Sequence, residues 1–239
     1  MLSTVINFIF AGMKATKKKI IQTAIDLFNQ KGVGNIRVRD IAETAEVSPG
    51  NLTYHFKTKK DILESVYRYM LKKLEEIRDV FLKSSNAIMV TKDYLKFQIQ
   101  FRFFYRDFLE IFHVYPEIKK QYKEQIFHLI RFNRKVLYVG VDMGFLIEEP
   151  QEGLYDTLAR NSWAIQNSWL LAREILGEET ISITGGVGAV MDLHYPYLTE
   201  KGKKFYHKGK KELKGWMESE VLTEAELGEE QKGTMGSKE

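Results

Sequence analysis

The chain contains no cysteine. That absence excludes disulfides, thiolate nucleophiles and thiolate-ligated metal, and it suits a reducing compartment. Proline is scarce, standing only at Pro49, Pro116, Pro150 and Pro196, so the backbone between those points is open to long helices. No apolar run approaches the ~18 residues that a membrane-crossing helix needs. The opening MLSTVINFIFAG is apolar but short, lacks a basic start and precedes its lysines, so no signal peptide is expected there. Met13 is an alternative start of translation, and residues 1–13 are expected to be a disordered extension. The chain also lacks HExxH, G-x-S-x-G, a Walker loop and clustered metal ligands, and its five histidines are scattered at positions 55, 113, 128, 194 and 207. No catalytic residue, metal or cofactor is expected, and the chain is not read as an enzyme.

Hydrophobic residues make up 44% of 239, enough for one large or two small cores. They recur at helical spacing, with no alternating strand run and no NG or DG hairpin turn, so the fold class is all-α. The net charge is only +4, but it is uneven. Between Lys14 and Lys60 stand ten Lys and Arg against four Asp and Glu, a local balance of +6 that leaves −2 for the remainder. A basic quarter on a near-neutral body points to a local anionic partner, and its compact-domain pattern favours nucleic acid over a membrane surface. A merely solvated basic face has the same charge signature.

The first helix is expected from about Thr16 to Gln30, with Ile20, Ala24, Leu27 and Phe28 as its buried stripe and Gly32 as a left-handed cap. A second covers about Val38 to Ala45, burying Val38, Ile41, Ala42 and Ala45. Ser48 as N-cap and Pro49 in the first turn start a third, which ends near His55. Thr58 caps a fourth of about 25 residues that turns Ile62, Leu63, Val66, Met70, Leu74, Ile77 and Phe81 inward. A second body begins near Ala87, with helices from Pro116 to about Tyr138, from Gly153 to Leu176 and from about Ile181 to Leu198. The tail from Glu218 carries seven acidic and two basic residues and is expected to be disordered.

The stretch from Val38 to Leu63, VRDIAETAEVSPGNLTYHFKTKKDIL, has the organisation of a helix-turn-helix. Such a unit needs two short helices locked by apolar contacts so that the second can enter a major groove. Ile41, Ala45, Val47 and Leu52 supply the lock. The outer side of the third helix then presents Asn51, Thr53, Tyr54 and His55, which can meet base edges and phosphates. Arg37 and Arg39 before it, and Lys57 and Lys59 after it, are placed to reach the backbone, Lys57 and Lys59 beside a helix N-terminus that itself attracts phosphate. A small helical bundle can share this bare spacing by chance.

The residue types go further. The segments AIDLFNQKGV, VRDIAETAEVS and GNLTYHFKTKKDIL resemble, in order, the DNA-binding domain of the tetracycline-repressor (TetR) family over about Lys17 to Tyr69. That resemblance implies DNA contact by Gly50, Asn51, Thr53, Tyr54, His55 and Lys59, and Ser48 at the start of the third helix is counted with them among the DNA-binding candidates. Thr53 stands where the family usually has the first of two tyrosines, and Glu46 where it usually has a turn glycine. The resemblance also implies an N-terminal three-helix helix-turn-helix domain, 14–70, joined by a long helix to a larger helical ligand-binding and dimerisation domain, 71–217, followed by the acidic tail 218–239. In such proteins the last two long helices pair across a two-fold axis, for which 153–176 and 181–198 are the candidates.

The stretch from Tyr94 to Tyr115 is unusually aromatic, and two readings of it stand. One is core packing. The other is a wall of an apolar ligand site built from Phe97, Phe101, Phe104, Tyr105, Phe108 and Phe112, completed by Phe127, Phe132, Trp163 and Trp169, with Arg102, Arg106, His113 and His128 for polar orientation. Gly185, Gly186, Gly188 and Ala189 are read as small residues at a dimer seam rather than as a nucleotide loop, with a helix break there as the alternative. The expected function is a cytoplasmic, homodimeric, ligand-responsive repressor that binds a palindromic double-stranded DNA operator and answers an apolar or aromatic small molecule. The competing readings are a helical ligand-binding or protein-interaction module with little specific DNA binding, and a general DNA-coating protein.

Overall fold

The computed structural model describes residues 15–83, 87–176 and 183–219. The extension 1–13 and the acidic tail from residue 220 onward lie outside the described residues. Within them the chain is helical, as expected, and extended pairing is limited to an isolated antiparallel bridge between Leu146 and Leu198. No helix among the described residues is long and apolar enough to cross a membrane. The chain forms two compact units: the described part of Met1–Ser85 with Phe97–Lys119, and the described part of Asn86–Lys96 and Lys120–Lys232.

In the first unit, helix α1 (Ala15–Lys31) buries the expected stripe and also Ile21 and Ile25. Its apolar surface is wide because α2 (Val38–Thr44), α4 (Lys59–Lys83) and α6 (Arg102–Arg106) all pack on it. Gly32 ends α1 with φ +81°, donating its N–H to the Phe28 carbonyl at 2.9 Å. That backbone region is strained for any residue with a Cβ, which is why glycine stands there. In α2, Ile41 and Ala42 are buried as expected, with Ala45 just beyond. Val38 is only half-buried, and Val33 and Ile36 of the preceding turn enter the core in its place. Thr58 and Asp61 form a reciprocal cap at the start of α4: the Thr58 N–H donates to Asp61 Oδ2 at 2.8 Å, and the Asp61 N–H to Thr58 Oγ1 at 3.2 Å. Ile62, Leu63, Val66 and Met70 of α4 are buried, Leu74 and Ile77 half-buried, and the Phe81 side chain lies outside the described residues.

The aromatic stretch falls on three helices: α5 (Ala87–Gln100), α6 and α7 (Phe108–Val114). Phe103 packs on Phe28 with ring centroids 5.3 Å apart, and Phe104 stacks on Tyr67 at 5.5 Å. A polar dock fixes these rings. Asn29, buried in α1, donates to the Gln100 carbonyl at 2.9 Å and accepts the Phe103 N–H at 3.0 Å. Arg106 donates to the Phe28 and Asn29 carbonyls at 2.9 and 3.1 Å, and Asp107 accepts the Val33 N–H at 2.9 Å. Arg106 also pairs with Asp107 at 2.8 Å. The last carbonyls of a helix have no partner within it, and a cation there is favoured by the helix dipole. Arg106 is therefore a cap for α1, and its donors are spent there rather than on orienting a ligand.

The second unit holds most of α8 (Pro116–Asp142), with α9 (Leu154–Ile175), α10 (Ile183–His194) and α11 (Glu200–Ser219). Helix α10 stops at His194, short of the expected Leu198. Pro196 cannot donate into the helix, and Tyr195–Tyr197 forms a tight 3-10 turn that leads into α11. Helix α11, for which the sequence pattern gave no expectation, follows that turn. Tyr155 is fully buried, donating its hydroxyl to the Ile147 carbonyl at 2.6 Å, while Glu149 accepts from Tyr138 and from the Tyr155 N–H, each at 2.8 Å. No break occurs at the GGVG segment. Gly186 lies against Trp169 of the same chain, where a Cβ would come within 2.8 Å of the indole. That close approach is made within the chain.

Asn29→Ala should lower stability by about 2–3 kcal/mol, since it strands a buried N–H as well as losing hydrogen bonds. Urea unfolding is the check: the midpoint falls with an unchanged slope.

Candidate nucleic-acid interface

Between α2 and α3 (Pro49–His55) the chain turns in four residues. The Ala45 N–H still bonds the Ile41 carbonyl at 2.9 Å, and the Val47 N–H returns to the Ala42 carbonyl at 3.0 Å. Glu46 lies between them with φ +51°, a left-handed backbone normally left to glycine. The cost is on the order of 1 kcal/mol. Its carboxylate is held by Lys19 of α1 at 3.0 Å, so the negative charge at the turn has a cation beside it. Ser48 Oγ accepts the Asn51 N–H at 3.2 Å, and Pro49 begins the helix without needing a donor. Ile41, Ala45 and Leu52 are at most 1% exposed, Val47 is half-buried, and Phe56 closes the core behind α3.

That lock turns the opposite side of α3 to solvent. Gly50, Asn51, Thr53 and Tyr54 are exposed, Tyr54 at 74%. A tyrosine left this bare gains nothing from the protein's own core. Its ring meets the edge of half-buried His55, with centroids 5.1 Å apart. Thr53 donates its hydroxyl to the Pro49 carbonyl at 2.8 Å, which leaves its methyl and oxygen lone pairs facing outward. Arg37, Arg39, Ser48 and Lys57 are exposed. The Arg37 N–H is taken by Asp40 at 2.7 Å, and the Arg39 guanidinium stands 3.8 Å from the same carboxylate. Lys59 differs from the other cations. It is half-buried, with its ammonium on the Gly34 carbonyl at 3.5 Å, and desolvation lowers its pKa despite the nearby Glu110 and Asp40. All ten candidate contact residues fall within one short stretch of the first unit.

The profile described as bacterial regulatory proteins, tetR family, matches residues 20–66, and that described as bacterial transcriptional repressor (TetR) matches residues 66–206. The chain belongs to the TetR family. Similar relatives include the probable HTH-type regulator YttP of Bacillus subtilis, 46% identical over 21% of this chain and 24% of that protein. RutR of Escherichia coli K12 is 31% identical over 37% of this chain and 42% of that protein. The IcaR negative regulator of the biofilm operon icaADBC in Staphylococcus aureus is 44% identical over 20% and 26%. The chain thus spans less than half the length of each of these relatives. Among solved structures, a TetR-family regulator from Marinobacter aquaeolei VT8 superposes with a TM-score of 0.75 at 24% identity, covering 84% of this chain and 99% of that one. A gamma-butyrolactone receptor (ArpA-like protein) gives 0.63 at 14% identity over 84% and 96%. A regulator from Saccharomonospora viridis in complex with choline gives 0.60 at 20% identity over 77% and 97%. At these identities the structural likeness shows the TetR fold.

Six of the candidate ligand-wall residues belong to the first unit of this TetR-family chain. Phe97, Phe101, Phe104 and Tyr105 are buried, and Phe108 and Phe112 half-buried. Phe97 packs on Phe101 at 4.9 Å, and Phe112 meets Phe104 at 6.0 Å and Phe108 at 5.8 Å. The other four belong to the second unit. Phe127 is 52% exposed, Phe132 is half-buried, Trp163 is half-buried with an indole N–H that has no hydrogen-bond partner, and Trp169 is buried against Gly186. Sequence reasoning missed Lys19 as the partner of Glu46 and the inward turn of Lys59. Neither signal is local, since Lys19 and Glu46 are 27 residues apart.

Glu46→Gly should raise stability by about 0.5–1 kcal/mol, the relieved strain exceeding the loss of one exposed ion pair. Thermal unfolding is the check, and an unchanged or lowered midpoint counts against the strain argument.

Proposed function

We propose that this chain is a sequence-specific DNA-binding repressor that acts as a homodimer on a roughly palindromic operator. The observation that carries the proposal is the outer side of α3: exposed Asn51, Thr53 and Tyr54 on a helix whose inner side is anchored by fully buried Leu52. In a major groove, Asn51 and Thr53 face base edges and set the preferred sequence. Tyr54, Arg37, Arg39 and Lys57 contact phosphates and set the register. The start of α4 adds backbone dipoles of the sign that attracts phosphate.

A palindrome needs two reading heads, and α9 supplies a surface for joining them. Thr157, Asn161, Ala164, Ser168, Ala172 and Ile175 are all exposed and fall at helical spacing on one side of α9. Thin side chains let a facing helix approach closely, and Ile175 and Leu176 at its end are more than 70% exposed. A second copy pairing along this stripe forms the two-fold axis. An apolar or aromatic effector then acts by favouring the dimer form whose heads do not match the operator spacing. The choline and gamma-butyrolactone named for its structural neighbours are ligands of those proteins, and they support effector control only as a class.

Footprinting on genomic fragments upstream of the chain's own gene tests the proposal: an inverted repeat is protected, and no protection on any fragment at low ionic strength overturns it. Lys57→Ala should reduce the slope of log affinity against log salt by about 0.9 per subunit, the value for one lost phosphate contact. Changes at Asn51 or Thr53 instead alter which sequence is preferred. Ala164→Arg should convert the dimer to a monomer of 27.9 kDa in sedimentation.

A further inference from the structure

Glu110 lies outside the helix-turn-helix, on α7, yet its carboxylate rests on the reading head. A Cβ placed on Gly34 would stand 2.5 Å from Glu110 Oε1, so the carboxylate occupies the space a side chain would need. The carbonyl of that same glycine receives the Lys59 ammonium at 3.5 Å. One glycine thus brings an acidic group from Phe97–Lys119 beside a cation of the candidate DNA surface. Asp40 of α2 is the second carboxylate that acts on Lys59. The position of α7 is not incidental. Asp107, which accepts the Val33 N–H, and Arg106, which caps α1, precede Glu110 directly and fix where its carboxylate falls.

We infer that Glu110 is a positioning residue that competes with DNA phosphates for Lys59, so that the segment Phe97–Lys119 sets how much positive charge the reading head offers to a duplex. The inference rests on the DNA-reading proposal above. Turned inward, the ammonium is half-desolvated and compensated by the two carboxylates and the Gly34 carbonyl. Turned outward, it recovers water and gains a phosphate. Removing the Glu110 charge withdraws one countercharge from the inward position and leaves the outward one unaffected. Anything that shifts α7 changes the same balance.

Two substitutions reach the carboxylate by different routes. Glu110→Gln removes its charge in place. Gly34→Ala displaces it, since the added methyl meets only the flexible end of Glu110 and Gly34 has no positive φ. The phosphate contribution does not depend on sequence, so a mixed-sequence duplex of about 30 base pairs serves as the probe. Each variant of the full chain should tighten duplex binding by about threefold in fluorescence anisotropy. That gain should vanish when Lys59→Ala is added. Unchanged affinity, or equal tightening with and without Lys59→Ala, overturns the inference, the second result marking general repulsion between Glu110 and DNA. A readout without DNA separates the two proposals: NMR titration of the Lys59 ammonium should show a lower midpoint in Glu110→Gln, and an unmoved midpoint also overturns the inference. Should the midpoint fall while neither the parent chain nor any variant binds duplex, the Lys59 contact stands and the DNA-reading proposal fails.

Discussion

The polar dock around Asn29, Arg106 and Asp107 sets the geometry of the first unit. It joins the end of α1 to a segment more than seventy residues further along the chain. The reason is a general one: a helix end left inside a protein has carbonyls that must find donors, and an unmet one is expensive. Arg106 supplies two of those donors, and its charge is in turn held by Asp107. The aromatic rings of Phe97–Lys119 provide apolar area but little directional preference. The dock tells them where to settle, and everything on α7 inherits that placement.

The reading head combines a rigid lock with a strained turn. Ile41, Ala45 and Leu52 are packed too tightly to let α2 and α3 slide. Glu46 is held in a backbone region that its Cβ disfavours, and its ion pair with Lys19 ties the turn to α1. The exposed pair is worth little by itself. Its effect is directional: it draws a misplaced negative charge toward a cation and away from the surface that α3 presents. Lys59 is drawn inward in the same unit by a carbonyl and two carboxylates, so the outward charge of the head is less than its lysine count implies.

The second unit solves a different problem. Its helices bury Tyr155, Leu158 and Ala159 on one side of α9 while the other side stays exposed and thin. Gly186 lets α10 close on Trp169, which satisfies one small-residue position within the subunit. The stripe of α9 from Thr157 to Ile175 stays exposed among the described residues.

Much of this was legible in the sequence because the causes are local. Gly32 ends α1, Ser48 and Pro49 start α3, and Thr58 with Asp61 starts α4, each through a contact spanning at most four residues. Apolar spacing located the core stripe of α1 and most of that of α4 for the same reason. Val38 was misjudged because periodicity cannot say that Val33 and Ile36, in a turn, enter the core instead. The helix drawn to about Leu198 stops instead at His194, because apolar spacing continues through the tight turn that holds Pro196. What no local pattern holds is pairing across distance. That Arg106 caps α1 instead of facing a ligand, and that Glu110 stands beside Lys59, depends on which surfaces meet once the helices pack. Helices, caps and the outward side of α3 were written in the chain by short-range chemistry, whereas the partners of its charges were decided only by tertiary contact.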